Sequence, residues 1–183
     1  MERSSLEIGS KALVVGLGPI GLAILLLLKL YGTIRIGVVG RRDDKFRLQL
    51  AERLGSDNIY QFEELEHEAR KWPERYDAIF EATGDPRAMA LGTSLCKSGG
   101  RTVTVGIHPE TAAVDVTDIV RNEKMIVGSY SFSLRTFERI LDLMDSGQLD
   151  PRALITHQFS LEDVVDAFET AASRRCGKVL VKP

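Results

Sequence analysis

A chain of 183 residues has the length of one domain with room for a small appendage, and it can bury a sizeable core. Its formal net charge of −2 provides no field that would recruit nucleic acid or an anionic membrane surface. The two cysteines, Cys96 and Cys176, form no CxxC pair, which excludes a zinc ribbon within the chain and fits a reducing cytoplasm.

From Ala12 to Leu28 no side chain is charged or polar, a run of 17 residues. A membrane helix needs about 20 apolar residues. Three glycines and a proline split this run, and Lys29 ends it, so neither a membrane span nor a signal peptide is expected. Ala12 to Gly16 reads as a short buried strand and Pro19 to Leu30 as a helix apolar on all sides, as a helix is when it lies between a sheet and a neighbour. Ile34 to Val39 is β-branched and reads as the next strand. Phe46, Leu50, Ala51 and Leu54 make a helical stripe that stops at Gly55.

Phe62, Leu65, Ala69 and Trp72 keep helical spacing with the intervening charged letters on a solvated face, and Pro73 ends that helix. "YDAIFEAT" is a strand, Pro86 to Lys97 a helix with proline in its first turn, "RTVTVGI" a strand, and "KMIVGSY" a strand counted as the sixth. The count of six includes a third strand to which no run is assigned. Strands separated by helices of this length make βαβ units, so the expected architecture is α/β, a doubly wound six-stranded parallel sheet.

After Tyr130 the character changes. Ser133 is placed to cap a helix carrying Phe137, Ile140, Leu141 and Met144 that ends near Gly147. Ser160, with Asp163 three residues on, is placed to cap a second helix carrying Leu161, Val164, Val165, Phe168 and Ala172. "KVLVKP" is a final strand. The tail is expected as a small separate α/β layer docked beside the sheet.

The pattern GxGxxG falls on Gly16, Gly18 and Gly21, directly after a strand and opening a helix, the context in which it carries a mechanism. Gly16 permits a tight turn, Gly18 lets the backbone approach a pyrophosphate, and Gly21 lets helix and strand pack closely. The free amides and the helix dipole then face the anion, which makes this a site for a nicotinamide dinucleotide. A purely structural turn, or a nucleotide site of another kind, is the alternative.

Which dinucleotide depends on the end of the second strand, where NAD binders carry an acid for the ribose hydroxyls and NADP binders an arginine for the additional phosphate. The letters here are "VVGRRDD". Gly40 stands where the acid would be, and Arg41 and Arg42 follow, which favours NADP, with Arg41 as the main phosphate contact. On the alternative, the four charges are a solvated loop in which Asp43 or Asp44 caps the next helix, or an aspartate folds back to the ribose and the cofactor is NAD.

These residues carry a resemblance. "KALVVGLGPIGLAILLLLKLYG", "AERLGSD", "YDAIFEATGDP", "GGRTVTVGI" and "ALITHQFSLEDVVDAFETAASRRCGKVLVKP" are similar to the C-terminal half of medium-chain, zinc-dependent alcohol and polyol dehydrogenases. "GRRD" with "FEATG" looks most like the glucose dehydrogenase branch. The resemblance implies a Rossmann cofactor domain over residues 11–130 and, over 131–183, a segment returning to a catalytic domain. It implies cofactor contacts at Gly16, Gly18, Pro19, Ile20, Gly21, Gly40, Arg41 and Arg42. Further contacts follow the fourth strand at Ala82, Thr83 and Gly84, the fifth at Val105, Gly106 and Ile107, and the sixth at Ser129 and Tyr130.

The family's zinc is held by a cysteine and a His-Glu pair in an N-terminal segment that has no counterpart in this chain. The resemblance therefore implies a cofactor-binding part, inactive alone, of an enzyme moving hydride between nicotinamide and a sugar, polyol or alcohol. Two alternatives are a stand-alone dinucleotide-sensing module and the cofactor domain of a zinc-free reductase of the same superfamily. No catalytic or metal-binding residue is assigned.

Other candidates have plainer readings. His67 adjoins Glu68, but HExxH fails because residue 71 is Lys. His108 follows the fifth strand and either lines the site or is exposed, and His157 is expected to support packing of the tail. Cys96, placed in a helix, and Cys176, placed in a turn, are expected to be free and buried or idle. "TAAVDVT", residues 111–117, alternates as a short edge strand does, and the resemblance implies a homodimer formed through it.

Overall fold

A computed structural model of the chain describes residues 1–69 and 71–183. Its main sheet has six strands in the order β3-β2-β1-β4-β5-β6. These are β1 (Lys11–Val15), β2 (Arg35–Gly40), β3 (Asn58–Gln61), β4 (Tyr76–Glu81), β5 (Cys96–Thr104) and β6 (Met125–Gly128). Every neighbouring pair is parallel. The helices between them are α1 (Pro19–Leu30), α2 (Lys45–Arg53), α3 (Phe62–Glu68), α4 (Pro86–Leu95) and α5 (Val116–Arg121). The doubly wound order reverses between β1 and β4, and the crevice at such a reversal is where open α/β sheets bind ligands.

Alternation along β1 builds both halves of the core. Ala12 and Val14 face α1 and α2, where Leu22, Leu25, Leu28 and Leu50 pack against Ile36, Val38 and Phe80. Leu13 and Val15 face α3 and α4, meeting Leu65, Ile79, Leu91 and Leu95. Each fully buried leucine contributes about 1.5–3 kcal/mol. The leucine-rich run is thus a helix shared between the sheet and the tail, and among the described residues no helix is long and apolar enough to cross a membrane.

The tail comprises α6 (Leu134–Asp145), a 3₁₀ turn (Pro151–Leu154), β7 (Ile155–Ser160), α7 (Val164–Ala172) and β8 (Lys178–Lys182), with β7 and β8 paired in parallel as a separate sheet. Ser133 caps α6 as expected, accepting from Thr136 N at 3.1 Å. Leu154 is buried in the cluster around α1. His157 packs within the tail as expected, stacked on Phe159 with ring centroids 6.5 Å apart, and its Nδ1 lies 2.9 Å from Thr156 Oγ1.

Several elements differ from the pattern reading. β3 is the third strand that no run identified, and β7 was not foreseen at all. α3 stops at Glu68, before Trp72, because Trp72 turns edge-on to Tyr60 with centroids 5.4 Å apart instead of extending the helix. Arg70, expected on the solvated face of that helix, lies outside the described residues. Cys96 is not helical: it opens β5 opposite Tyr76. β5 ends at Thr104, short of the "VGI" read into it, because the amides of Val105 and Gly106 turn to the Glu81 carbonyl at 2.8 and 3.0 Å. No strand forms over residues 111–117; Asp115 accepts from Asp118 N at 3.0 Å and starts α5, so a side-chain cap overrides the alternation. Ser160 ends β7 and donates to Asp163, which is itself the residue preceding α7, so Ser160 does not cap that helix.

Candidate functional site

A cleft of about 560 Å³ opens at the carboxyl ends of β1, β2 and β4, and Gly16, Gly18, Gly40, Arg41, Ala82 and Thr83 all line it. The turn from β1 into α1 is held by Gly16 N donating to Val39 O at 2.9 Å, with Gly16 at φ +102°. The three glycines differ in what a side chain would meet. A Cβ on Gly21 would lie 1.9 Å from Gly16 O, and one on Gly16 would lie 2.5 Å from Thr83 Cγ2. A Cβ on Gly18 would meet nothing within 4 Å, because Gly18 borders open cleft.

α1 begins without a side-chain cap, with Pro19 in its first turn and no acid there. Pro19 brings no N–H, so the first-turn amides and the positive end of the helix dipole are left to an anion. The cradle therefore fits a diphosphate. Ile20 is exposed at the front of the helix, whereas Gly21 is buried against β1.

The opposite wall rests on a residue that the motif reading missed. Glu81, at the end of β4, is fully buried, and its Oε1 accepts from Thr83 N at 2.6 Å, Thr83 Oγ1 at 2.5 Å and Gly84 N at 2.9 Å. Its Oε2 meets His108 Nε2 at 2.9 Å. One carboxylate thus gathers the loop after β4 and the loop after β5. The signal in the sequence is an acid following Ala78, Ile79 and Phe80 in a strand with no solvated face. His108 is mostly buried in this contact and not free at the surface.

The arginines separate in space. Arg41 lines the cleft and is paired through Nε and Nη2 with both oxygens of Asp43, at 3.0 and 2.9 Å. This pair is exposed and hence weak, so a phosphate can replace the aspartate at little cost. Arg42 is absent from the cleft lining, being drawn to Gln61 Oε1 at 2.7 Å and Glu64 Oε1 at 3.1 Å. Asp44 takes the capping role, accepting from Arg47 N at 3.2 Å. Gly40 is small for packing reasons too: a Cβ there would stand 2.7 Å from Leu48 Cδ2 and 2.9 Å from Leu17 Cδ1. Arg47, Arg87 and Arg174 also line the cleft and were not foreseen. Arg87 is held by Asp85 at 2.7 Å and lies over the Phe62 ring.

The remaining expected contacts lie away from this cleft. Gly84 and Gly106 bring the loops after β4 and β5 together, since a Cβ on Gly106 would be 2.3 Å from Gly84 N. Val105 is half-buried and Ile107 exposed beside them. Ser129 and Tyr130 line a separate cleft of about 270 Å³ with the first residues of the chain and α6. Among the described residues no three His, Cys, Asp or Glu side chains are grouped to hold a metal ion. His67 is exposed, and Cys96 and Cys176 are free and buried. Burial pushes the Cys96 thiol up.

Residues 19–146 match the zinc-binding dehydrogenase family model. Sorbitol dehydrogenase of Rattus norvegicus is 32% identical over 98% of this chain and 51% of its own length. Among solved structures, a Sinorhizobium meliloti 1021 protein bound to NADP superimposes with a TM-score of 0.89 at 26% identity, covering 100% of this chain and 55% of that one. An alcohol dehydrogenase of Escherichia coli CFT073 complexed with NADH superimposes with a TM-score of 0.87 at 28% identity, covering 97% of this chain and 53% of that one. The chain spans about half the length of the curated relatives it matches. A glycine cradle at the switch point of a doubly wound sheet and a family match over most of the sequence converge, and the chain belongs to the zinc-binding dehydrogenase family, as an NAD(P)-binding Rossmann unit.

Proposed function

We propose that the chain binds NADP(H) and serves as the cofactor part of a medium-chain dehydrogenase that moves hydride between the nicotinamide and a sugar, polyol or alcohol. Residues 11–130 are the cofactor domain in this reading and 131–183 a segment that meets a catalytic domain carrying the zinc. The uncapped α1 start behind Gly18 carries the proposal, because it offers backbone donors to a diphosphate and nothing of the chain's own to occupy them. Gly40 in place of an acid and Arg41 at the cleft support the choice of NADP over NAD. The nicotinamide, once bound, supplies the hydride chemistry, while this chain holds and orients it.

The loops after β4, β5 and β6, with Val105, Gly106, Ile107, Ser129 and Tyr130, are assigned to the nicotinamide half. The setting proposed is the cytoplasm, in keeping with two unpaired cysteines. A homodimer belongs to the same reading: β6 is an edge strand of the sheet and leaves Met125 and Ile126 exposed for a second copy.

Titration with the two coenzymes tests the cofactor assignment. NADPH is expected to bind more tightly than NADH, with Arg41→Ala erasing the difference. Equal affinities in the unmutated chain contradict the phosphate-pocket reading. Sedimentation velocity across a range of concentrations checks the dimer, which an invariant monomer rules out.

A further inference from the structure

The cleft is lined from both parts of the chain. Arg174, beyond α7 in the tail, lines it together with Gly18, Gly40 and Arg41, although it lies more than 130 residues further along the sequence. Its backbone is in the left-handed region, φ +61°, which a side chain other than glycine adopts at a cost. Two residues on, Cys176 O accepts from Arg47 Nε of α2 at 2.8 Å, and Arg47 is itself largely buried beside Asp44. The segment is thereby fastened to the helix that follows the second strand.

The charges around Arg174 are incomplete. Arg41 is paired with Asp43, Arg47 with Asp44, and Arg87 with Asp85. Among the described residues no carboxylate lies within ion-pair distance of the Arg174 guanidinium, and no side-chain hydrogen bond holds it. Asp43 senses the charge of Arg174: its carboxyl is held below the usual range first by the hydrogen bond from Arg41, with the charge of Arg174 a minor contribution. A guanidinium with its donors free, lining the same cleft as the exposed Arg41–Asp43 pair, is placed to receive an anion together with Arg41.

We propose that Arg174 is a specificity-determining residue which, with Arg41, pairs with the 2′-phosphate of NADP(H), making the phosphate pocket a joint product of the Rossmann sheet and the tail. This rests on the NADP(H) reading of the cleft. The Arg47–Cys176 contact positions Arg174 for it. Because Arg174 is exposed, its replacement leaves the core intact.

The test is titration of the whole 183-residue chain, as wild type, Arg174→Ala and Arg174→Lys, with NADPH and with NADH, each variant first checked by circular dichroism. Arg174→Ala is expected to weaken NADPH binding about tenfold while leaving NADH within about twofold, and Arg174→Lys to recover part of the loss as a point charge does for a fork. A wild-type preference for NADPH that Arg174→Ala leaves untouched overturns the proposal and spares the cofactor assignment. Equal loss for both coenzymes also overturns it, placing Arg174 on the diphosphate. Equal wild-type affinities overturn the cofactor assignment and the proposal together.

Discussion

Two glycines of one motif fail in different ways when a methyl group is added. At Gly21 the new Cβ meets the Gly16 carbonyl, backbone against backbone, so Gly21→Ala is expected to cost about 2–3 kcal/mol of stability. At Gly18 the space is empty, so Gly18→Ala should unfold at the wild-type denaturant midpoint and yet lose coenzyme affinity, because the methyl group occupies the ligand's place. Urea unfolding and coenzyme titration of both variants separate the two roles. Glu81 calls for a similar pair. Glu81→Ala strands the donors of Thr83 and Gly84 in the interior and is expected to cost about 3 kcal/mol, whereas Glu81→Gln keeps an acceptor and should cost clearly less in the same unfolding measurement. The glycine cradle was legible because a strand, a tight turn and a helix leave a local signature. Glu81 left only the faint mark of an acid closing an apolar strand, because nothing local shows that its second oxygen reaches His108 in the loop after β5.

The elements reveal where periodicity informs and where it does not. Long apolar elements such as α1 and β4 declare themselves; β3, with the four residues Asn58–Gln61, and β7, with polar Thr156, His157 and Gln158, have too little apolar alternation to separate them from loops. At 111–117 alternation was present and misleading, since a single capping aspartate outweighs it. Glu74 ties β2, β3 and β4 together, accepting from Arg35 at 2.8 Å, Tyr60 at 2.9 Å and Tyr76 at 3.1 Å. Burial alone would raise its pKa, but the hydrogen bonds from Arg35 and the two tyrosines outweigh this and hold the carboxyl below its ordinary value. Asp77 behaves alike: burial works to raise it, and Lys97 with the Lys11 amide prevails and lowers it. A depressed folded-state pKa gives stability that is fully present above the unfolded value and disappears as pH falls through the folded one. Thermal stability is therefore expected to decline once pH drops below about 4, and Glu74→Gln should flatten that decline, as thermal unfolding followed across pH would record.

For the molecule as a whole, the tail proves to be part of one core. Leu154 enters the cluster around α1, and the Cys176 carbonyl is bound by Arg47. The separate character of residues after Tyr130 and their docking beside the sheet were legible in the sequence; the contacts that make the docking were not, since pairs more than a hundred residues apart leave no local trace. Cys96 and Cys176, 1% and 2% exposed, lie in different parts of that core. Neither should react with a thiol reagent such as DTNB in the native chain, and both should react together on denaturation. Selective labelling of Cys176 in native buffer would mean that the tail detaches independently.

The first strand of the chain occupies the middle of its sheet. β1 pairs with β2, which arrives soon after it, and with β4, whose Asp77 accepts from the Lys11 amide across 66 positions. The nucleotide cleft therefore waits on late arrivals: one wall exists only after β4 is made, and Arg174 lies far beyond β4 in the sequence. Coenzyme fluorescence during refolding should accordingly lag behind the recovery of helix signal, reporting closure of the last piece rather than formation of the first turn.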